Sequence, residues 1–256
     1  MPRNSQCGPL VQLADELWGS EYELRLAPGF YMPVRMTVIR GPAGLMLWSP
    51  GPMDEVLAAS LAELGEVNAL VAPNLLHHLF VAPMQARYPQ AKLYLAPGLA
   101  AKRADLRASG TLDSLPPAWA EQLRLRTIDG AKRLGEVVAL HRKSKGLIVT
   151  DLLFNMGPVR GVLSPCILGL AGVHRRLGQS RLLRFLVDDR QAAGASVRAF
   201  LEWPIEHLIP AHGAPISGPN VKAKIADALH WMLRTKRWLS GHTAPRRTSP
   251  RPMARR

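Results

Sequence analysis

VNALVAPNLLHHLF, residues 67–80, is the stretch that decides the fold. Val67 to Ala72 is a short apolar run of the kind that forms a buried strand, and it ends at Pro73, which cannot continue a hydrogen-bonded ladder. Asn74, His77 and His78 follow at once, on a segment from Leu75 to Val81 that reads as a helical turn broken near Pro83. Strand ends are where α/β proteins place their sites, because the loops converge there while the sheet holds them in place.

The pattern extends in both directions. Upstream, Pro52 to Leu64 carries Val56, Leu57, Leu61 and Leu64 at helical spacing, with acidic Asp54 and Glu55 in the first turn and Gly65 as the stop. Before it, runs at Tyr22 to Leu26, Arg35 to Arg40 and Gly44 to Trp48 are separated by Gly and Pro turns and predict an antiparallel meander. Downstream come a strand at Lys92 to Ala96, a helix from Leu99 to Leu106 and a strand at Leu123 to Ile128. Glu136 to Leu140 and Leu147 to Thr150 then pair as a hairpin across His141 to Gly146. Gly157 to Arg190 reads as helical with an apolar patch, Ala192 to Leu201 as a helix, His207 to Pro210 as a short strand, and Val221 to Leu239 as a long amphipathic helix. Strands alternating with helices imply an α/β protein, a layer of strands covered by helices.

Composition limits what such a protein can be. The chain has 256 residues, 47% hydrophobic and 20% charged, as in a globular domain. Its longest apolar run, Gly161 to Val173, falls short of the roughly 20 residues that span a bilayer, so no membrane span is expected. The first residues lack the continuous apolar stretch of a secretory signal, and Cys7 and Cys166 have no metal-knuckle spacing, so the expected location is cytoplasmic. The formal charge is +14, and eight basic residues with no acidic ones lie between Leu233 and Arg256. That end is rich in Pro, Ser and Thr and reads as a basic disordered tail, 241–256, able to meet nucleic acid or an acidic surface, or serving only solubility. The domain itself is expected over 21–240, after an N-terminal extension of 1–20.

Three strands end in polar residues: the first at Asn74 and His77, the second at Asp151, the third at His212 before Gly213. Two imidazoles and a carboxylate at one sheet edge suit a divalent ion, which needs deprotonated nitrogen or oxygen donors and, if catalytic, an open position. His141 lies about four strand residues from Asp151 at roughly 3.3 Å each, too far to share an ion. His77 and His78 diverge by about 100° on a helical turn, so one ion takes only one of them. Each residue also has an ordinary role open to it: a histidine capping a loop, Asp151 in a turn or at an N-cap, Asn74 as the cap of the segment that follows. Asp188 and Asp189 read as a solvated pair, and Asn155 as a turn residue.

VAPNLLHHLF, then APMQARYPQAKLYLAPGLAAKRADL (82–106), GLIVTDLLFN (146–155) and LIPAHGAPI (208–216) together resemble a domain family of unknown function within the metallo-β-lactamase-like hydrolase fold. The resemblance spans roughly Tyr22 to Leu239 and implies an αββα sandwich. Relatives carry His-x-His-x-Asp-His after a strand, an intermediate His, a bridging Asp and a late His-Gly. This chain has Ala72, Asn74, Leu76 and His77 at the motif, Asp151 at the bridge and His212 before Gly213, with no match for the intermediate His in Asp129 to Leu134, where it should lie. The resemblance therefore implies a reduced, at most mononuclear site of His77, Asp151 and His212, with Asn74 or His78 orienting a ligand, and either one divalent ion (Zn, Fe or Mn) or none.

No GxxxxGK[ST], GxGxxG or GxSxG occurs, which argues against nucleotide enzymes and serine hydrolases. Two functions remain: a metal-dependent hydrolase-like protein acting on a substrate the sequence does not name, or a non-catalytic interaction module that keeps the fold while its basic tail contacts an acidic partner.

Overall fold

A computed structural model describes residues 7–234. In chain order the elements are β1 (Val11–Ala14), β2 (Leu17–Ala27), β3 (Phe30–Gly41), β4 (Gly44–Trp48), α1 (Glu55–Leu64), β5 (Val67–Ala72), α2 (Val81–Arg87), β6 (Lys92–Leu95), α3 (Leu99–Lys102), β7 (Gly110–Thr111) and α4 (Pro117–Ala120). There follow β8 (Leu123–Thr127), β9 (Val137–His141), β10 (Gly146–Asn155), α5 (Ser164–Leu170), β11 (Leu177–Gly178), α6 (Arg190–Leu201), β12 (His207–Gly213), β13 (Ile216–Ser217), α7 (Val221–Ala228) and α8 (His230–Leu233).

Strands β1 to β7 form one sheet in sequence order, antiparallel through β4 and parallel from β4 to β7. The second sheet runs β13-β12-β10-β9-β8, with β11 beside β10. Side-chain alternation stacks the two into a sandwich. In β4, Met46 and Trp48 pack with Val137, Ala139, Ile148 and Ile209 of the other sheet, while Leu45 and Leu47 pack outward with Leu57 and Leu61 of α1. In β10, Ile148 faces the opposing sheet, and Leu147 and Val149 face Val197, Phe200 and Ile225 of the helices. Central strands buried on both faces explain why β5 and β10 read as nearly unbroken apolar runs. The layers run helix, sheet, sheet, helix: the αββα sandwich.

Several boundaries differ from the sequence reading. β1 and the start of β2 precede residue 21, and Leu17 is wholly buried between the sheets, so the chain joins the fold well before the expected end of the extension at 20. Leu75 to Phe80 forms bends and a turn rather than the expected helical turn; the helix starts at Val81, and Pro83 sits in its first turn, where a backbone N–H has no intrahelical partner to lose. Val56 of α1 is exposed, and Leu57 and Leu61 alone make its buried face. Gly157 to Arg190 is mostly irregular: α5 is short, and the chain then turns at Gly172, whose φ of +75° lies in the left-handed region. The long terminal helix is two short ones broken at the buried Leu229. Its expected end at Leu239 and the basic tail 241–256 lie outside the described residues. Among the described residues no helix is long and apolar enough to cross a membrane.

Candidate metal centre

Each candidate ligand owes its position to a local irregularity. β5 ends at Ala72, and two residues on the Asn74 Oδ1 accepts from the backbone N–H of Leu76 (2.9 Å) and of His77 (2.7 Å), fixing the tight turn that presents His77. Strands β10 and β12 pair in register up to Val149 and Pro210 and resume at Phe154 and His212. Residues 150–153 thus oppose Ala211 alone, a bulge that re-aims Asp151 towards the sheet edge. After His212 the chain passes through Gly213 at φ +96°, where a Cβ would stand 2.0 Å from the Asn155 carbonyl oxygen. Only glycine fits there.

The three donors converge. His77 Nε2 lies 3.1 Å from His212 Nε2 and 3.3 Å from Asp151 Oδ2, and His212 Nε2 lies 3.4 Å from Asp151 Oδ1. Donors bound at about 2.1 Å to one ion stand roughly 3.4 Å apart on a tetrahedron and about 3.0 Å apart as neighbours on an octahedron. The observed spacings fall on those edges, and these three residues are the only group of three or more His, Cys, Asp or Glu so gathered among the described residues.

Hydrogen bonding fixes the tautomer of one ring and the orientation of the other. His212 Nδ1 stands 2.9 Å from the Pro33 carbonyl oxygen, which can only accept, so Nδ1 carries the proton and Nε2 of the neutral ring presents a lone pair. Phe154 stacks on that ring at 4.6 Å and 6° and holds its plane. His77 Nδ1 lies 2.6 Å from Ser49 Oγ, a hydroxyl able to accept from the ring or donate to it. His77 Nε2 faces both His212 Nε2 and Asp151 Oδ2, a position that either a shared proton or a metal ion would occupy favourably. Ser49 has φ +58°, uncommon for a residue with a side chain, and backbone strain of this kind clusters at functional sites.

Asn74 supports the carboxylate, and Glu136 the backbone that carries it. Because the Asn74 oxygen is committed to the turn, its Nδ2 points to Asp151 Oδ2 at 2.6 Å, Glu136 Oε2 at 2.9 Å and Thr150 Oγ1 at 3.0 Å. Glu136, wholly buried, accepts from the backbone N–H groups of Thr150 (2.7 Å) and Asp151 (3.1 Å) and from the Thr150 hydroxyl (2.6 Å). It supplies the partners that the bulge takes from the ladder. Burial, and then the Asp151 charge, raise the Glu136 pKa. Burial also disfavours the charged form of Asp151, yet the adjacent His77 and His212 outweigh it and hold this carboxyl far below the usual range. Burial works against a His77 imidazolium, and the Asp151 carboxylate more than offsets it, so the His77 pKa is raised. A buried carboxylate held ionised beside two imidazoles is a site that favours a cation.

The sequence-derived ligands His77, Asp151 and His212 are thus brought together, and Asn74 orients one of them. His78 does not. Its Nδ1 is 2.8 Å from an Arg103 guanidinium nitrogen that can only donate, and burial, with Lys102 and Arg103, lowers its pKa. His141 is held by Ser144 at 2.8 Å, in keeping with its exclusion as a ligand. Asp189 caps α6, and Asp188 pairs with Arg133 at the surface. Sequence reasoning missed Ser49 and Glu136. Ser49 follows an apolar strand and precedes Pro50, the same signature as the other strand ends; Glu136 follows Gly135 and resembled an ordinary charged strand start.

Fold and site define a protein with the metallo-β-lactamase architecture. The chain covers 90% of itself and 100% of a metallo-β-lactamase from Pontibacter korlensis (TM-score 0.59, 12% identity). The figures for one from Hirschia baltica are 90% and 100% (0.60, 13%), and for one from Erythrobacter litoralis with β-mercaptoethanol in its active site 87% and 96% (0.60, 16%). At such identities the likeness is one of fold. The chain belongs to DUF4336, a family described as a domain of unknown function, whose model matches residues 14–160. No curated protein matches it.

Proposed function

We propose that this protein is a metal-dependent, hydrolase-like protein with a single divalent ion, Zn, Fe or Mn, held by His77, Asp151 and His212. The observation that carries the reading is the convergence of two imidazole nitrogens and a carboxylate at 3.1 to 3.4 Å, with the His212 lone pair directed inward by the Pro33 carbonyl. An ion bound there would lower the pKa of a coordinated water and polarise an ester, amide or phosphate bond. The chain's own residues do the rest: Asn74 holds the Asp151 carboxylate and Glu136 its backbone N–H, Ser49 and Pro33 hold the outer ring nitrogens, and Phe154 keeps the His212 ring in plane.

One ion is favoured over two. The motif positions that relatives use for further donors are here Ala72, which packs among apolar side chains, Leu76, which lines the mouth of the neighbouring pocket, and Asn74, which is spent on the turn and the carboxylates. Cytoplasmic placement belongs to the same reading and fits the free thiols of Cys7 and Cys166. Elemental analysis of protein purified without chelator tests it. About one Zn, Fe or Mn per chain is expected, falling to a trace in His212→Ala; a folded, metal-free wild type would overturn it.

A further inference from the structure

The three candidate ligands sit in the lining of a pocket of about 340 Å³, within the range of small-molecule sites. Its walls are hydrocarbon. Leu24 and Met32 face each other across β2 and β3, and Leu168, Ala171 and Leu183 close the far side. Besides the ligands, the polar side chains on the lining are Tyr22, Ser180 and Ser49, and the Ser49 hydroxyl is engaged by His77. A polar substrate such as a sugar or nucleotide would leave its hydrogen-bonding groups unmatched against these walls.

The mouth continues the pattern. Leu26, Leu76, Leu79 and Leu182 line the pocket yet remain 43% to 57% exposed, and clustered exposed leucines beside a cavity mark a binding surface. The segment 157–187, which supplies the far wall, carries Arg160, Arg175, Arg176, Arg181 and Arg184 and no acidic residue. Burial, and then Arg181 and Arg176, lower the Arg184 pKa, so these guanidinium groups feel one another's charge. None of the five arginines lines the pocket and Arg160 is paired with Glu23, so the excess charge lies on the segment rather than in the cavity, where its longer-range field favours a molecule negative at one end and hydrocarbon at the other.

We propose that the pocket takes the aliphatic chain of a free anionic amphiphile of the fatty-acyl class, its polar end at His77, Asp151 and His212. The placement of that end rests on the metal reading above; the fit of the chain does not.

Calorimetric titration of the full chain with octanoate, decanoate, dodecanoate and tetradecanoate, each as monomer, tests this. Affinity should rise roughly tenfold per added pair of methylenes until the pocket is filled. Leu24→Glu, at a half-buried wall position, should weaken dodecanoate binding at least tenfold, and Leu24→Trp should shorten the longest chain accepted. Affinity independent of chain length, or both variants binding as the wild type does, would overturn the proposal. So would attachment to phosphatidylglycerol vesicles, equal in wild type and Leu24→Glu, with no fatty acid bound, since that outcome describes a charged surface alone. Metal content measured on the same samples separates the two readings. A chain-length series in metal-free protein supports the pocket and ends the metal reading, and stoichiometric metal without the series does the reverse.

Discussion

Two neighbouring clusters share the turn after β5, and they spend their polar atoms in opposite ways. Around Glu136, the Asn74 amide, the Thr150 hydroxyl and two backbone N–H groups are all turned on one carboxylate, and the cluster satisfies itself. Around His77, Asp151 and His212 the outer atoms are bound, to Ser49, Asn74 and Pro33, while the inner ones face each other at 3.1 to 3.4 Å. The same architecture can therefore carry a closed hydrogen-bond network in one half of a site and an open donor set in the other. The difference lies in whether donors outnumber acceptors locally. A closed network needs no ion; the converging donors can share one.

This contrast can be broken at four places, in falling order of effect. His212→Ala removes an inward donor and should weaken metal binding on the order of a thousandfold, measured by competition with a chelator, while the fold survives in circular dichroism. Glu136→Ala strips partners from two backbone N–H groups, a hydroxyl and an amide. It should lower stability by about 3 kcal/mol in urea unfolding, more than any ligand substitution in metal-free protein. Equal losses for Glu136→Ala and His212→Ala would erase the distinction between the halves. Asn74→Ala joins both clusters, so it should cost about 1–2 kcal/mol of stability and also weaken metal binding roughly 10- to 100-fold. Ser49→Ala frees the His77 ring and should weaken the ion by about tenfold with little change in unfolding midpoint.

The open half was legible in the sequence because the two histidines follow apolar runs and are flanked by Pro or Gly, Pro73 before Asn74 and His77, Pro210 and Gly213 around His212, and because Asp151 is the one charged residue in an apolar strand. The closed half was not. Glu136 precedes β9 as an ordinary charged residue would, and its burial follows from the bulge in β10, which depends on pairing with β12 some 60 residues later. His78 and His77 looked equivalent by spacing; Arg103, supplied by the chain after α3, decides between them. Helix and strand order followed the apolar periodicity closely from β2 to β6. It failed over 157–190, where five glycines, one short α-helix and a single 3-10 turn leave the pocket wall to be set by tertiary contacts.

Crystals soaked in Zn²⁺ and measured on both sides of the zinc absorption edge would put the account to its most direct test. One anomalous peak is expected, about 2 Å from His77 Nε2, His212 Nε2 and an Asp151 oxygen, with none beside Asn74 and Glu136. A second peak in the closed half, or an empty map at the three donors, would contradict it.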